Sequence, residues 1–340
     1  MMKNNPLVSI ITLTFNHEKY IADCILSVQA QTYPNWEMLI IDDGSSDHTL
    51  QIAQSYAKDD KRIIIFAREN IGVFRMKENY NFALEQSHGK YIALLDGDDV
   101  WLPKKLELQI PLLENEPTSI LAWSKAYSCA SDLHETGEEI PVTNLENAIL
   151  ENNPVKSILR TFVFYDFIPA LTIVIRKDAL EKIGGFFQEK DFPTVDFPTL
   201  CRLAELGSFE FIPIPLGKWR LHISQTTKKF VINIAQGHYN LALKTYNDNI
   251  DFFNNNTKIK LSDIHKFFNK KFIITYSRSG RYKLIEKDFK SARKDYRKSI
   301  FNFGFYELVW KLRSIIGLIL SFFHTDVEAL AKFIGHTSYK

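Results

Sequence analysis

Four short apolar segments in the first hundred residues each end at a polar turn, and helix-length segments separate them. The apolar segments are rich in Val, Ile and Leu, as buried strands are, and cover residues 7–15, 36–41, 62–66 and 91–95. Helices are predicted between them, over residues 20–31, from about 48, and over 77–86. This alternation predicts an α/β domain with a mostly parallel central sheet flanked by helices.

Polar and aromatic residues follow three of these strands and are predicted to share one crevice. They are Phe15, the pair Asp42 and Asp43, and the acidic segment 96–99. Open α/β sheets bind their ligands beyond the carboxyl ends of the strands, where all of these residues fall. The first strand is not followed by a GxGxxG or GxxxxGK[ST] loop, which argues against a dinucleotide site and a P-loop.

The acidic segment Asp96-Gly97-Asp98-Asp99 is a candidate metal site. Neighbouring carboxylates repel one another unless a cation or a proton compensates them. Mg²⁺ and Mn²⁺ prefer oxygen ligands, and a divalent cation can neutralise the charge that develops on a departing diphosphate. The same tetrapeptide also fits an acidic turn that only caps a helix, so both interpretations stay open at this point.

The chain continues less regularly beyond residue 101. We predict a helix over 103–115, strands over 120–127, 168–175 and 209–214, and a second helix over 196–206. Residues 130–152 are polar and carry turn residues, so we expect an insertion or a mobile loop there. The pattern becomes helical after residue 224, and we expect a domain boundary at 225–230.

Six motifs occur in an order that resembles the inverting glycosyltransferases of family 2, which have the GT-A fold. In chain order they are PLVSIITLTFNHEKYIADCILSVQAQTYPNWEMLIIDDGSSDHT, ENIGV, GKYIALLDGDDVWLPKKL, IGGF, a helix beginning at Asp196, and KWRLHISQT. Each motif alone is a weak signal, whereas six in this order are specific. The resemblance implies a nucleotide-diphospho-sugar transferase fold with a catalytic domain in residues 1–225 and a helical appendage in 226–340.

The resemblance also implies where the donor lies, with the nucleotide sugar in about residues 1–100 and the acceptor side in 101–225. Phe15 matches the aromatic residue that stacks on the nucleobase. Asp43 matches the residue that accepts the ring N–H of uracil, and Asp42 is the alternative. Lys77 lies where relatives often have a basic residue near the diphosphate, although a surface lysine fits equally well.

For the metal, the resemblance implies Mn²⁺ or Mg²⁺. Asp98 matches a carboxylate near the ribose and the metal, Asp99 matches the direct metal ligand, and Asp96 completes the cluster on the nucleotide side. His222 resembles a late histidine that reaches the metal or the diphosphate, while a structural histidine is the alternative. Arg220 is expected either to pair with phosphate or to brace the acidic crevice.

The catalytic base implied by the resemblance is Asp196. Relatives usually have Glu-Asp at the head of this helix, whereas this chain has Val195-Asp196. A carboxylate at a helix N-terminus is kept ionised by the helix dipole, which suits proton abstraction from a sugar hydroxyl, but it also suits a simple cap. Val195 and Pro198 replace polar groups, so a non-catalytic binding subunit and a nucleotidyltransferase remain as alternatives.

The implied function is inverting transfer of a hexosyl or N-acetylhexosaminyl group from a UDP-sugar. The expected acceptor is a hydroxyl of a glycan or lipid-linked molecule in bacterial-type surface polysaccharide synthesis. The polar segment 1–6 leads directly into a strand, so we expect no secretory signal and a cytoplasmic chain. Cys24, Cys129 and Cys201 lack metal-binding spacing and are expected to be reduced core residues.

The C-terminal region is basic and aromatic although the whole chain has a net charge of only +2. Residues 258–313 contain 16 Lys and Arg against 5 Asp and Glu. An apolar stretch over 306–323 follows, and its run 314–323 is too short to span a bilayer. The region fits a peripheral contact with the inner face of the membrane or a helical bundle packed on the catalytic domain. It carries no nucleic-acid module signature, so we expect no nucleic-acid partner.

Overall fold

The computed structural model describes residues 5–141, 150–222 and 225–325. The chain divides into two units, residues 1–225 and residues 226–340. The first unit is built around one mixed β-sheet, and the second is helical.

The sheet of the first unit has the order β3-β2-β1-β4-β8-β6-β9-β5, with β7 paired to β6. Its strands are β1 Val8–Thr14, β2 Trp36–Asp42, β3 Ile63–Ala67, β4 Tyr91–Leu94, β5 Val100–Trp101, β6 Ser119–Cys129, β7 Glu135–Ile140, β8 Val174–Arg176 and β9 Ser208–Arg220. The pairs within β3-β2-β1-β4 are parallel, and so is β6 with β9, whereas the other pairs are antiparallel. The parallel register aligns Thr14 with Asp42, so the carboxyl ends of the central strands open at one edge.

Helices cover this sheet, as the alternating pattern predicts. They are α1 Ile21–Gln29, α2 Thr49–Asp59, α3 Met76–Gln86, α4 Lys105–Asn115, α5 Leu159–Phe162, α6 Lys177–Lys182 and α7 Asp196–Leu203. Every residue of β1 and β2 is buried, which explains why these strands are mostly apolar and do not alternate strictly between apolar and polar residues. The three cysteines are free thiols and are buried, as predicted.

Three predictions for the second half of this unit were wrong. Residues 135–140 form β7 against β6 rather than a loop, while 142–149 lie outside the described residues. Of the predicted strand 168–175 only residues 174 and 175 are in a strand, β8, because residues 170–172 form a 3-10 turn after Pro169. β9 continues past Pro213 and Pro215 to Arg220, and its register with β6 shifts at this point, which accommodates the missing N–H donors.

The second unit contains helices only among its described residues, in agreement with the sequence. They are α8 Thr226–Lys229, α9 Val231–Asp248, α10 Ile250–Asn256, α11 Leu261–Ile285, α12 Phe289–Phe301 and α13 Leu308–Phe322. Tyr296 of α12 lies against Gly280 of α11 and Gly317 of α13, where an added Cβ would meet its ring at 2.8 Å and 2.3 Å. A search of the described helices finds none with the length and apolar character to cross a membrane.

Candidate active site

The crevice at the carboxyl ends of β1, β2 and β4 is formed by loops that bind one another through hydrogen bonds. The backbone N–H of Asn16 donates to Ser45 Oγ at 2.9 Å, and Asn16 Oδ1 accepts the N–H of Ser46 at 2.8 Å. Asn16 adopts a left-handed conformation with φ of 55°, which an asparagine tolerates well. Phe15 precedes it and is 44% exposed, so its ring is accessible for stacking.

The two aspartates after β2 have different surroundings. The Asp43 carboxylate accepts hydrogen bonds from Asn79 Nδ2 at 2.8 Å and from the backbone N–H groups of Ile71 and Gly72. Asp42 is 2% exposed, and its Oδ1 has no hydrogen-bond partner among the described residues. Asp43 therefore fixes the loop at residues 70–72, while Asp42 retains an unsatisfied acceptor.

Lys77 lies on the first turn of α3 and is exposed. Its backbone N–H donates to Gln188 Oε1 at 3.2 Å, and its charge acts on the neighbouring Glu78. The structure therefore ties the backbone of Lys77, but not its ammonium group, to the loop before α7.

The acidic segment forms a tight turn directly after β4. The N–H of Asp99 donates to the carbonyl of Asp96 at 3.1 Å, and the N–H of Gly97 donates to the carbonyl of Leu13 at 2.9 Å. A Cβ at position 97 would lie 2.6 Å from Thr14 Oγ1 and 3.0 Å from His17 Nδ1. Glycine is thus required here because the turn packs directly on the end of β1.

The carboxylates of this turn have opposite pKa shifts. Burial, reinforced by the charge of Asp98, raises the pKa of Asp96 to about 7 and raises the pKa of Asp99 well above its ordinary value. Burial acts in the same direction on Asp98, but His17 and His222 outweigh it and lower the pKa of Asp98. Asp98 is therefore the carboxylate of the turn that is best stabilised as an anion.

His222 and His17 lie on either side of this anion. His222 Nε2 is 2.8 Å from Asp98 Oδ2, and His17 Nε2 is 3.9 Å from the same oxygen. Burial lowers the pKa of His17, although the charge of Asp98 opposes that effect. The sequence analysis assigned no role to His17. Its position two residues after Phe15, in the loop that follows β1, could have indicated that it lies in the crevice.

Arg220 braces the crevice and is only 1% exposed. Its Nε donates to the carbonyl of Asp98 at 2.7 Å, and its guanidinium also contacts Asp23 at 3.0 Å. The backbone N–H of Arg220 donates to Asp99 Oδ1 at 2.8 Å. Of the two roles that the sequence left open for Arg220, the structure favours the brace, and Asp99 is part of it.

Asp196 is the first residue of α7 and is partly exposed. Its charge acts on Tyr80 and Asp96, and the Tyr80 hydroxyl donates to Asp96 Oδ1 at 2.9 Å. Burial raises the pKa of Asp196, against hydrogen bonding from the Phe197 N–H. Val195 and Pro198 are buried, so these apolar replacements pack inside the unit instead of lining the crevice.

The donor set of the crevice suits a hard divalent cation only in part. Within residues 5–141, 150–222 and 225–325, no group of three or more His, Cys, Asp or Glu side chains is arranged to hold a metal ion. Asp98 and His222, however, place a carboxylate oxygen and an imidazole nitrogen 2.8 Å apart. In this structure the two atoms are within hydrogen-bond distance of each other, and because Mg²⁺ and Mn²⁺ bound beside phosphates need only one or two protein ligands, they are candidate ligands once that bond is exchanged for an ion.

Comparison with protein families matches residues 9–183 to the family described as Glycosyl transferase family 2. An uncharacterised glycosyltransferase of Haemophilus influenzae is 31% identical over 268 residues, which cover 78% of this chain and 79% of that protein. The putative teichuronic acid biosynthesis glycosyltransferase TuaG of Bacillus subtilis is 45% identical over 109 residues, which cover 32% of this chain and 42% of TuaG.

Two solved structures have a similar fold. S. aureus TarS 1–349 in complex with UDP-GlcNAc has a TM-score of 0.53 and 15% identity, and the match covers 98% of this chain and 93% of that one. Mannosyltransferase PcManGT from Pyrobaculum calidifontis in complex with GDP-Man and Mn²⁺ has the same TM-score and identity, covering 98% of this chain and 80% of that one. At 15% identity the likeness concerns the fold.

Proposed function

We propose a specific sugar transfer on the premise that this chain belongs to glycosyltransferase family 2 and has the GT-A fold, as the sequence predicted. Family and fold are confirmed, and the chain is a glycosyltransferase. The proposed reaction is inverting transfer of a hexosyl or N-acetylhexosaminyl group from a UDP-sugar to an acceptor hydroxyl. The observation that carries it is the position of Asp196 at the start of α7, near enough to the acidic turn after β4 for its charge to contribute to the raised pKa of Asp96.

In the proposed reaction Asp196 is the general base. Its carboxylate takes the proton of the acceptor hydroxyl while that oxygen forms a bond to the anomeric carbon of the donor. The bond from the anomeric carbon to the diphosphate breaks at the same time, and the nucleoside diphosphate leaves with the electron pair. A single displacement of this kind inverts the configuration at the anomeric carbon. The raised pKa of Asp196 suits the role, because it makes the carboxylate a better proton acceptor.

For the metal we propose that Asp98 and His222 hold Mn²⁺ or Mg²⁺. When bound, this ion would stabilise the negative charge on the departing diphosphate. Asp99 remains a predicted ligand, although its Oδ1 already accepts the N–H of Arg220. Arg220 holds the backbone of the turn through the carbonyl of Asp98, and the Asp98 carboxylate lies 2.8 Å from His222 Nε2. Asp96, bonded to Tyr80, is proposed to lie beside the nucleotide.

For the donor we propose that Phe15 stacks on the base and that Asp42 or Asp43 accepts the ring N–H of uracil. The exposed ring of Phe15 supports the stacking role. For the uracil contact we favour Asp42, because its Oδ1 is unsatisfied whereas the Asp43 carboxylate already accepts several hydrogen bonds. Lys77 is proposed to approach the diphosphate from the first turn of α3. The TarS complex contains the uracil nucleotide sugar UDP-GlcNAc, whereas PcManGT was solved with GDP-Man.

For the acceptor we propose a glycan or lipid-linked hydroxyl in surface polysaccharide synthesis, which the likeness to TuaG supports. We place the chain in the cytoplasm, with residues 226–340 against the inner face of the membrane. Residues 258–313 contain 16 basic and only 5 acidic residues, which supports that contact because the lipid headgroups of this leaflet are anionic. No part of this proposal involves a nucleic acid.

A panel of nucleotide sugars with Mn²⁺, followed by thermal unfolding, tests the donor proposal. A ligand at a hundredfold excess over its Kd stabilises the fold by about 2.7 kcal/mol, so UDP-sugars should raise Tm by several degrees. Phe15→Ser should weaken UDP binding roughly tenfold or more, since stacking contributes about 1–3 kcal/mol per base.

Leu206→Ser is the matched control, because Leu206 is 40% exposed in the same unit. If no UDP-sugar shifts Tm while a GDP-sugar does, the UDP assignment is wrong. A panel without any effect would contradict the donor proposal as a whole.

A further inference from the structure

Helix α13 presents apolar side chains outward along its whole length. Six of them, Leu308, Leu312, Ile315, Ile316, Ile319 and Phe322, are between 41% and 66% exposed and define the α13 apolar face. Five of them, without Ile316, recur at intervals of three or four residues, and Ile316 lies four residues after Leu312 and three before Ile319, which places all six on one side of the helix. A contiguous apolar surface of this kind marks a site of interaction.

The opposite side of α13 is the buried side, where Leu318 and Leu320 pack partly buried on α11 and α12 and the fully buried residues are polar or small. Lys311, Ser314, Gly317 and Ser321 are buried there. Ser314 Oγ is hydrogen-bonded to Ser299 Oγ of α12 at 2.9 Å, and the lack of a Cβ at Gly317 admits the ring of Tyr296. Lys311 Nζ donates to the carbonyl of Asn302 at 3.1 Å, beyond the end of α12. These contacts fix the rotation of α13, so its apolar face cannot turn inward.

Cationic side chains border the α13 apolar face. The guanidinium of Arg293 lies 5.0 Å from the ring of Phe322, and the exposed Arg313 stands three residues before Ile316, which places it next to this face. A helix at a membrane surface needs this combination, because apolar side chains enter the acyl region while cations and aromatic rings remain at the headgroups.

The charge of this region decides between two occupants of the α13 apolar face. A second copy of the chain would bring a second basic region against the first, which costs electrostatic energy. An anionic lipid surface complements the same charge, and each basic residue near it contributes about 1 kcal/mol. At about 1.5 Å per residue, the 15 residues of α13 are also too short to span a bilayer, so the helix would lie flat.

We infer that the α13 apolar face lies in the plane of an anionic phospholipid bilayer, with Arg293 and Arg313 at the lipid phosphates. The inference rests on the membrane contact proposed above and adds the helix and the face that make it. It is independent of the sugar chemistry, because it uses only contacts within the second unit.

Cosedimentation with vesicles of equal parts phosphatidylglycerol and phosphatidylcholine tests this surface. The full chain should bind these vesicles, bind pure phosphatidylcholine vesicles several-fold more weakly, and lose affinity as salt is added. The double variant Leu312→Gln, Ile316→Gln should bind the anionic vesicles at least roughly tenfold more weakly than the wild-type chain. The matched control is Leu206→Gln, Ile214→Gln, which changes two side chains of 40% and 48% exposure in the first unit.

Three results would overturn the inference, and they are distinguishable. Failure of the wild-type chain to bind anionic vesicles would refute the membrane contact itself. Equal binding by the α13 variant and the control variant would place the contact on another surface. A wild-type dimer that the α13 variant converts to a monomer in sedimentation velocity would assign the face to a second copy. Donor hydrolysis in solution should be the same for all three proteins, so a failed sugar-transfer proposal would be detected separately.

Discussion

Replacing Asp196 with asparagine is expected to lower kcat for sugar transfer by about 10²–10⁴-fold, the usual contribution of a positioned general base. The amide has nearly the shape of the carboxylate but cannot take a proton from the acceptor hydroxyl. Donor binding should be unchanged, because the assigned nucleotide contacts lie on the loops after β1, β2 and β4. Steady-state transfer with saturating donor measures the loss, and thermal unfolding with and without UDP verifies fold and binding.

Asp178→Asn is the matched control for this variant. Asp178 also lies in the first turn of a helix, α6, and its side chain is 60% exposed in a surface ion pair with Lys182. We expect wild-type turnover from it, since surface ion pairs contribute little. Wild-type turnover by Asp196→Asn as well would show that Asp196 is only a helix-terminal residue.

Replacing Asp98 with asparagine should lower turnover by roughly 10²-fold or more at a limiting Mn²⁺ concentration. Asp98 is the anion of the acidic turn, held by His17 and His222, and the amide would remove the negative charge that attracts the cation. Charge stabilisation by a metal contributes several kcal/mol to a transition state, and about 1.4 kcal/mol corresponds to a factor of ten in rate. A titration with Mn²⁺ should show half-maximal activity at a higher concentration than for the wild type.

Asp59→Asn is the control, since Asp59 is an exposed acid at the end of α2. The variant His222→Gln should shift the Mn²⁺ titration in the same direction as Asp98→Asn, because both side chains are assigned to one ion. Unchanged titrations for both variants would refute this pair as the metal site.

The central strands and the acidic turn could be predicted because their sequence signals are local. β1 and β2 are buried on both faces, so each is mostly apolar, and only Leu95 separates the end of β4 from the acidic turn. The helical second unit was likewise predicted from composition and period. These features depend on neighbouring residues and not on distant partners.

The features that the sequence did not reveal depend on contacts between distant segments. Arg220 reaches Asp99 across 121 residues and Asp98 across 122, and nothing near Arg220 in the chain distinguishes a brace from a phosphate ligand. β7 forms by pairing with β6, and β9 continues through its prolines because its register with β6 shifts there. The outward orientation of the α13 apolar face depends on the packing of Gly317 against the Tyr296 ring of α12.

Release of UDP from the best-binding UDP-sugar, with and without Mn²⁺, tests most directly whether a divalent cation on the acidic turn assists departure of the diphosphate. Wild-type protein treated with a chelator should release UDP at the background rate, and added Mn²⁺ should restore release. Undiminished release in excess chelator would contradict the proposal that Asp98 and His222 act through a metal ion.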